Sequence, residues 1–472
     1  MASLLLITNI SANIYRHFLF TGCSLSLAGG VRPMKKVLVL GAGMVSKPLV
    51  RYLLDNDFNV VMASRTVSKA EKIINGHPNG KPLSLDVSDD AKLEKLVSES
   101  DLTVSLLPYT YHVKVAKLCI KHKKQLVTTS YVSDEMKALD KQAKDTGVLL
   151  LNESGLDPGI DHMSAMRVIH DVENKGGKIT SFKSTTGALP SFEANNNPFG
   201  YKFSWSPRGV LLASRNSAKW LERGIEIDVP GEKLFETYYL QDVEGVGTFE
   251  NYPNRNSIPY KDIYGLKDAE TVYRGTFRIT GWCETIRNIV KLGWLNDKPL
   301  KNFSGKTYAD VTRRLIKAKS EDGLQKATAD FLGLKEYSAV IKRLKWLGLF
   351  NDIPLPEDRD NPLDYLNVLT LSKMKLGESE RDMIVMHHEF IAEYSSKKEY
   401  ITSTLVEFGI PNGDSAISRT VALPAAIAVK MILNNKIKLT GVHIPVTPEI
   451  YNPILNELEE IGIKFTEKSK VL

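Results

Sequence analysis

Apolar and polar positions change their period along this chain in a regular order. Lys36–Leu40 reads KVLVL, a continuous apolar run of the kind that forms a strand buried on both faces. A glycine-containing turn follows, and then Val45, Leu49, Val50, Leu53 and Leu54 recur at the spacing of one helix face. The same alternation continues through NVVMASRT (59–66), LSLDV (83–87), a polar-faced helix near Asp90–Ser98, LTVSLLP (102–108), a helix through Val115 and Leu118, QLVTTS (125–130), a helix from Asp134, and VLLLNE (148–153). Strands alternating with helices over short connections predict a parallel, doubly wound sheet. GLDPGID (155–161) breaks this rhythm with two glycines and a proline and reads as a hinge into a second domain. Beyond it, KITSFKSTTGAL (178–189) and ETVYRGTFRITG (270–281) are β-type runs, and 308–350 is helical with a Lys/Leu repeat. ITSTLVEFG (401–409), the apolar helix TVALPAAIAVKMIL (420–433) and KLTGVHIPV (438–446) suggest a return toward the first domain.

The first turn carries chemistry. In KVLVLGAGMVS (36–46), Gly41 permits a tight turn and Gly43 lets backbone approach a pyrophosphate. The following helix N-terminus supplies amide donors, and Met44 and Val45 complete the turn. Ser46 replaces the usual third glycine and offers a hydroxyl to a phosphate, while Pro48 is tolerated in a first helical turn. The second strand ends in Ser64, Arg65 and Thr66, where an acid would bind a ribose 2′-hydroxyl. A guanidinium flanked by hydroxyls instead suits a 2′-phosphate, so the expected cofactor is NADP(H); the alternative is a solvated surface arginine. Ligands bind beyond the carboxyl ends of such strands, which places Asp86, Val87, Leu107, Thr129, Ser130 and Tyr131 along the cleft.

Composition sets outer limits. The chain has 472 residues, 43% hydrophobic and 25% charged, so two or three globular domains are expected. No apolar run reaches the length that spans a bilayer. A net charge of +7, spread along the chain without a basic stripe interleaved with aromatics, argues against nucleic-acid binding and suits anionic ligands. Cys23, Cys119 and Cys283 show no metal or disulfide spacing, as in a reducing compartment. Residues 1–33 lack acids, hold Arg16 and Arg32, and read as a transit peptide, a disordered extension or an upstream start, with a secretory signal disfavoured.

Several blocks then occur in one order: SLLPYT (105–110), VTTSYVS (127–133), NESGLDPGIDHM (152–163), NPFGYKFSWSPRGVLLA (197–213), YPNR (252–255), YRGTFR (273–278) and SRTVALPAA (418–426). By these the chain, from about Met34 to its end, resembles the saccharopine dehydrogenase family of the NADP-dependent, L-glutamate-forming type, the saccharopine reductases. The resemblance implies condensation of L-glutamate with L-2-aminoadipate 6-semialdehyde and NADPH-dependent reduction of the imine to saccharopine, reversibly, in lysine biosynthesis. It also implies a Rossmann domain over 34–157 and 425–472, an α/β substrate-binding and dimerisation domain over 158–300 and 380–424, and a small helical domain over 301–379. The expected partners are these small molecules and a second copy of the chain, with no nucleic acid or membrane; the expected location is cytoplasmic, with mitochondrial import through 1–33 as the alternative.

The resemblance further implies cofactor contacts at Leu156, Asp157, Pro158 and Ser206, and substrate contacts at Ser130, Tyr131, Asp157, Arg255, Thr276, Phe277 and Arg278. A substrate with three carboxylates and two amines calls for bidentate cations, and Arg255 and Arg278 match the positions that hold the carboxylates, with Arg274 and Arg208 ranked lower. Asp157 is the expected catalytic residue, an electrostatic support for the cationic carbon–nitrogen centre; a turn-stabilising cap is its other reading. His162 is read as structural. His387 and His388 are adjacent, and HHEFIAEY lacks the second histidine of HExxH, so no metal site is expected there. The competing functions are another opine- or carboxynorspermidine-type imine reductase, and a non-catalytic nucleotide-binding relative.

Overall fold

The structure, a computed structural model, describes residues 34–319 and 323–472. The readings placed on 1–33, including Cys23, lie outside the described residues. Seven strands form a parallel sheet in the order Gly441–His443, Leu149–Leu151, Gln125–Thr128, Leu102–Ser105, Lys36–Leu40, Asn59–Ser64 and Gly80–Ser84. Every neighbouring pair is parallel, and the order reverses beside Lys36–Leu40, which puts a topological switch point at the glycine turn. Val37 through Leu40 are fully buried, as the unbroken apolar run requires when helices cover both faces.

The strands stop earlier than their apolar runs. LSLDV was expected as a strand, but the third strand is Gly80–Ser84, because its partner ends at Ser64 and offers no further ladder. Likewise Gln125–Thr128 ends before Thr129 and Ser130, which therefore lie on the loop side of the strand end.

The second sheet runs Tyr239–Val243, Gly247–Pro253, Thr271–Arg278, Lys178–Pro190, Asp382–Glu393, Lys398–Phe408 and Phe465–Val471, with the hairpin Ala218–Glu222 and Ile225–Val229 added beside Thr271–Arg278. Asp382–Glu393 holds a central place and was not foreseen as a strand. His388 sits opposite Ser184 and His387 opposite Thr185, so the two histidines point to opposite faces of the sheet.

Three boundaries need correction. Phe465–Val471 pairs antiparallel with Lys398–Phe408, so the chain end completes the second sheet instead of the first domain. One helix, Ala416–Leu433, runs through the expected boundary at 424/425 and packs into a core shared by both sheets, which joins Val37 and Leu151 to Phe182, Ile384 and Met386. The helical core reaches back to Trp282 and Cys283 and takes in Val210 and Leu211, so it begins well before residue 301. Residues 35–472 accordingly form one compact unit. Ala416–Leu433 is also long and apolar enough to cross a membrane, against the expectation, but 78% of it is buried inside the fold, which makes it a core helix.

The link between the sheets is a turn without room. Gly159 has φ +150°, and a Cβ there would stand 2.0 Å from the Gly155 carbonyl oxygen. Gly159→Ala is therefore expected to cost roughly 3 kcal/mol or more. An unchanged urea midpoint for that variant would contradict the packing of this turn.

Candidate functional site

The glycine turn adopts the geometry that a close backbone approach needs. Gly41 has φ +107°, donates its N–H to the Ala63 carbonyl at 2.9 Å, and would place a Cβ 2.9 Å from the Leu106 oxygen. Gly43 has open space where a Cβ would stand, and Met44 is exposed. Val45 occupies the N-cap of helix Ser46–Asp55 without a side-chain cap; Ser46 N–H donates to the Gly43 carbonyl at 3.3 Å and Pro48 has no N–H, so of the first three helical positions Lys47 keeps an amide for an outside acceptor. Ser46 departs from expectation. It is fully buried and its hydroxyl donates to the Gly43 carbonyl at 2.8 Å, so it braces the turn from within and presents no side chain to a phosphate.

Arg65 and Thr66 are exposed at the end of the second strand, and Ser64 Oγ accepts the Thr66 N–H at 3.3 Å. Asp86 faces them: its carboxylate accepts the Ser88 amide at 2.9 Å and the Ser88 hydroxyl at 2.7 Å. Those bonds, with Arg65 and Lys114 nearby, hold the Asp86 carboxyl below the ordinary value. Lys114 also donates to the Val87 carbonyl at 2.7 Å, and Leu107 lies half-buried at the neighbouring strand end. These residues thus meet along one edge of the switch point.

The other end of the cleft is built from GLDPGID. Glu153 N–H donates to the Ser130 carbonyl at 3.2 Å and Ser154 N–H to the Thr128 carbonyl at 3.1 Å, pressing the turn against Thr129 and Ser130. Leu156 and Pro158 are buried, while Asp157 is half-buried beside them. Its Oδ1 accepts the Tyr131 hydroxyl at 3.0 Å and also a bond from Arg274. The same Arg274 nitrogen reaches Asp161 Oδ2 at 2.6 Å, the other terminal nitrogen donates to Tyr260 Oη at 2.7 Å, and the guanidinium lies 4.3 Å from the centre of the Tyr260 ring. Burial opposes the charge on Arg274, but Asp157, Asp161 and the neighbouring tyrosines hold it firmly protonated. Burial first, and then Asp157, push the Tyr131 phenol well above its ordinary value, so it remains a donor.

Asp157, the expected catalytic carboxylate, is thus already paired with Arg274 and is not a lone anion. It ties the Tyr131 hydroxyl to the guanidinium. Arg274, ranked low from the sequence, is the hub of the cluster. The signal existed: Asp157 and Asp161 stand four apart in GLDPGID, and Arg274, Thr276 and Arg278 alternate on one strand face.

Arg278 is buried, with its guanidinium 5.1 Å, 5.8 Å and 5.5 Å from the ring centres of Tyr201, Tyr252 and Trp282. One terminal nitrogen donates to the Phe277 carbonyl at 2.8 Å. Its Nε, Tyr201 Oη, Trp282 Nε1 and the Thr186 hydroxyl all lack hydrogen-bond partners. Buried donors without acceptors cost about 1–3 kcal/mol each unless a ligand satisfies them. Thr276 shares this face, half-buried. Phe277 does not: its ring is fully buried on the opposite face with Leu189, Phe249, Met383 and Val385, which leaves only its backbone on the site side. Arg255 is exposed, has φ +56°, and lies 5.3 Å from the Tyr131 ring centre, at the mouth of the cluster. Arg208 is committed to Asp364 at 2.8 Å, and Ser206 caps helix Pro207–Ala213 by accepting the Gly209 N–H at 3.3 Å, so neither side chain is aimed at the cluster by these bonds.

Behind Asp161 lies a second buried pair. His162 Nε2 is 2.7 Å from Glu153 Oε2 and its Nδ1 is 2.5 Å from Tyr264 Oη. Burial opposes a charged imidazole here, but Asp161 and Glu153 outweigh it and raise the His162 pKa above the ordinary histidine value.

Comparison with known proteins places the chain in a family. Residues 37–151 match the saccharopine dehydrogenase NADP-binding domain and residues 155–463 the saccharopine dehydrogenase C-terminal domain. The chain is 42% identical to saccharopine dehydrogenase [NADP(+), L-glutamate-forming] of Schizosaccharomyces pombe, over 92% of this chain and 99% of that protein. It is 40% identical to the Saccharomyces cerevisiae protein of the same name, with the same coverage. It is 37% identical to mouse mitochondrial alpha-aminoadipic semialdehyde synthase, over 93% of this chain and 48% of that longer protein. The solved apo structure of saccharopine dehydrogenase (L-Glu forming) from Saccharomyces cerevisiae superposes with a TM-score of 0.85 at 38% identity, over 92% of this chain and 100% of that one.

The raised His162 pKa gives a stability test. A group that binds its proton more tightly when folded stabilises the fold fully below its unfolded value, near 6.5, and that contribution is lost as pH rises through the higher folded value. Unfolding free energy is therefore expected to fall as pH climbs above about 6.5, and His162→Gln should flatten that slope. A wild-type slope retained in His162→Gln would place the titration elsewhere.

Proposed function

The chain belongs to the saccharopine dehydrogenase family, and we propose that the cleft between its two sheets is where L-glutamate and L-2-aminoadipate 6-semialdehyde are joined and their imine reduced to saccharopine. The enzyme is an NADP-dependent, L-glutamate-forming oxidoreductase of lysine biosynthesis, reversible in direction. The observation that carries the site assignment is the Arg278 pocket. A buried cation with three orphaned donors around it is complementary to a carboxylate, and a fork of guanidinium nitrogens binds carboxylates in two-point fashion. Arg255, at the mouth beside Tyr131, supplies a second cation for a multi-carboxylate substrate.

The residues of the first sheet fit NADP(H). Gly41 and Gly43 allow the backbone approach, the uncapped helix at Ser46 leaves the Lys47 amide as a donor, and exposed Arg65 with Ser64 and Thr66 suits the 2′-phosphate. When bound, the cofactor supplies or accepts the hydride. The chain itself orients and excludes. Tyr131 presents a hydroxyl fixed by Asp157, Arg274 fixes Asp157, and the paired charges give a polar environment set in advance of the reaction.

We also read the protein as a cytoplasmic homodimer. Tyr239–Val243 is an edge strand of the second sheet with Tyr239 and Leu240 exposed, a surface that pairing would cover. The free, buried Cys119 and Cys283 suit a reducing compartment.

NADPH oxidation is expected only when L-glutamate and the semialdehyde are both present; turnover with either omitted would contradict the assignment. Arg65→Asp should raise the KM for NADPH at least about tenfold more than that for NADH, roughly 1.4 kcal/mol of discrimination. Equal losses with both cofactors would remove Arg65 from the 2′-phosphate site.

A further inference from the structure

His112 is the first residue of helix His112–Lys121 and is buried at the carboxyl ends of the strands Leu102–Ser105 and Gln125–Thr128. Its Nδ1 stands 2.9 Å from Ser105 Oγ, and its Nε2 stands 2.8 Å from Ser130 Oγ and 3.2 Å from Thr128 Oγ1. The ring thus links two fully buried hydroxyls to one that is half-exposed at the cleft.

The ring is tied at both nitrogens. Ser105 is fully buried, and among the described residues its hydroxyl has a single hydrogen-bond partner, His112 Nδ1. The ring is neutral: burial pulls its pKa down to about 4, and the positive end of its own helix opposes a charge there. One nitrogen therefore donates and the other accepts, and the buried Ser105 and Thr128 hydroxyls compete for the accepting one. In either tautomer Nε2 holds Ser130 Oγ from within at the shorter of its two contacts, and the remaining hydrogen-bonding capacity of that hydroxyl is left for the strand-end cleft.

We propose that His112 is a positioning residue that fixes the Ser130 hydroxyl at the strand end for a hydrogen bond with the bound cofactor or substrate. The inference rests on the reaction assigned above. A chain of serine, imidazole and serine does at this strand end what a backbone amide could not, because Ser130 lies past the last ladder pair of its strand. The side chain is steered from the neighbouring strand and helix instead.

A double-mutant cycle tests this on the full-length enzyme with NADPH, L-glutamate and the semialdehyde. His112→Ala and Ser130→Ala are each expected to lower kcat/KM about tenfold, and the double variant should be no worse than either single one. His112→Gln, which keeps a side-chain donor and acceptor, should recover most of the loss. A rise confined to the NADPH KM assigns the Ser130 partner to the cofactor, and a rise confined to the amino-acid or semialdehyde KM assigns it to the substrate. Should His112→Ala not fold, His112→Phe preserves the ring volume, removes both ring nitrogens and takes its place in the cycle. Additive losses in the double variant, or unaltered kinetics in a folded His112→Ala enzyme, would overturn the inference while leaving the reaction intact. A wild-type enzyme that fails to turn over would overturn the reaction assignment and this inference with it.

Discussion

One buried guanidinium holds the two halves of the site together. Arg274 belongs to the second sheet, and its two carboxylate partners, Asp157 and Asp161, belong to the turn that leaves the first. Burying three charged groups is costly unless each is paired and hydrogen-bonded. Here Tyr131 and Tyr260 supply further bonds, and Gly159 N–H donates to Asp161 Oδ1 at 2.5 Å. Removing one member would leave the others buried and unpaired, at about 3–5 kcal/mol. The arrangement therefore specifies one docking of the sheets more sharply than apolar packing alone.

The site chemistry follows from that constraint. Because Asp157 is fixed by Arg274, the Tyr131 hydroxyl is fixed by Asp157, and Arg255 lies near the Tyr131 ring. The strand that carries Arg274 carries Thr276 and Arg278 on the same face, so the clamp and the carboxylate pocket share a register. The Glu153–His162 pair backs the cluster and leaves its charge balance dependent on pH from behind. Ser46, expected to offer its hydroxyl to a phosphate, instead stiffens the glycine turn from within.

Period and turn chemistry made the first sheet legible. KVLVL, the two glycines and the alternation to residue 153 placed six of its strands, and Arg65 indicated the cofactor. The seventh, Gly441–His443, is only three residues long and was visible only as part of an apolar run. What the sequence concealed was the second sheet's long-range pairing. Nothing local in Phe465–Val471 says that it completes a sheet with Lys398–Phe408, and DMIVMHHEFIAE drew notice for its histidines before its strand pattern. The resemblance located Asp157, Tyr131 and Arg278 but misjudged the Phe277 side chain, since strand parity sends its ring to the other face. Arg274 was undervalued for a different reason: its alternation with Thr276 and Arg278 puts it on the site face, but its two carboxylate partners lie more than a hundred positions away along the chain.

The clamp is tested most directly by Arg274→Lys, which keeps the charge and removes the planar fork. A lysine cannot bind Asp157, Asp161 and Tyr260 at once in the guanidinium geometry. In steady-state NADPH oxidation with both substrates, the folded variant is expected to lose at least about a hundredfold in kcat, roughly 2.7 kcal/mol, while its NADPH dissociation constant stays within about twofold. A folded Arg274→Lys enzyme with wild-type kcat would show that the site does not depend on this guanidinium, and would contradict the account.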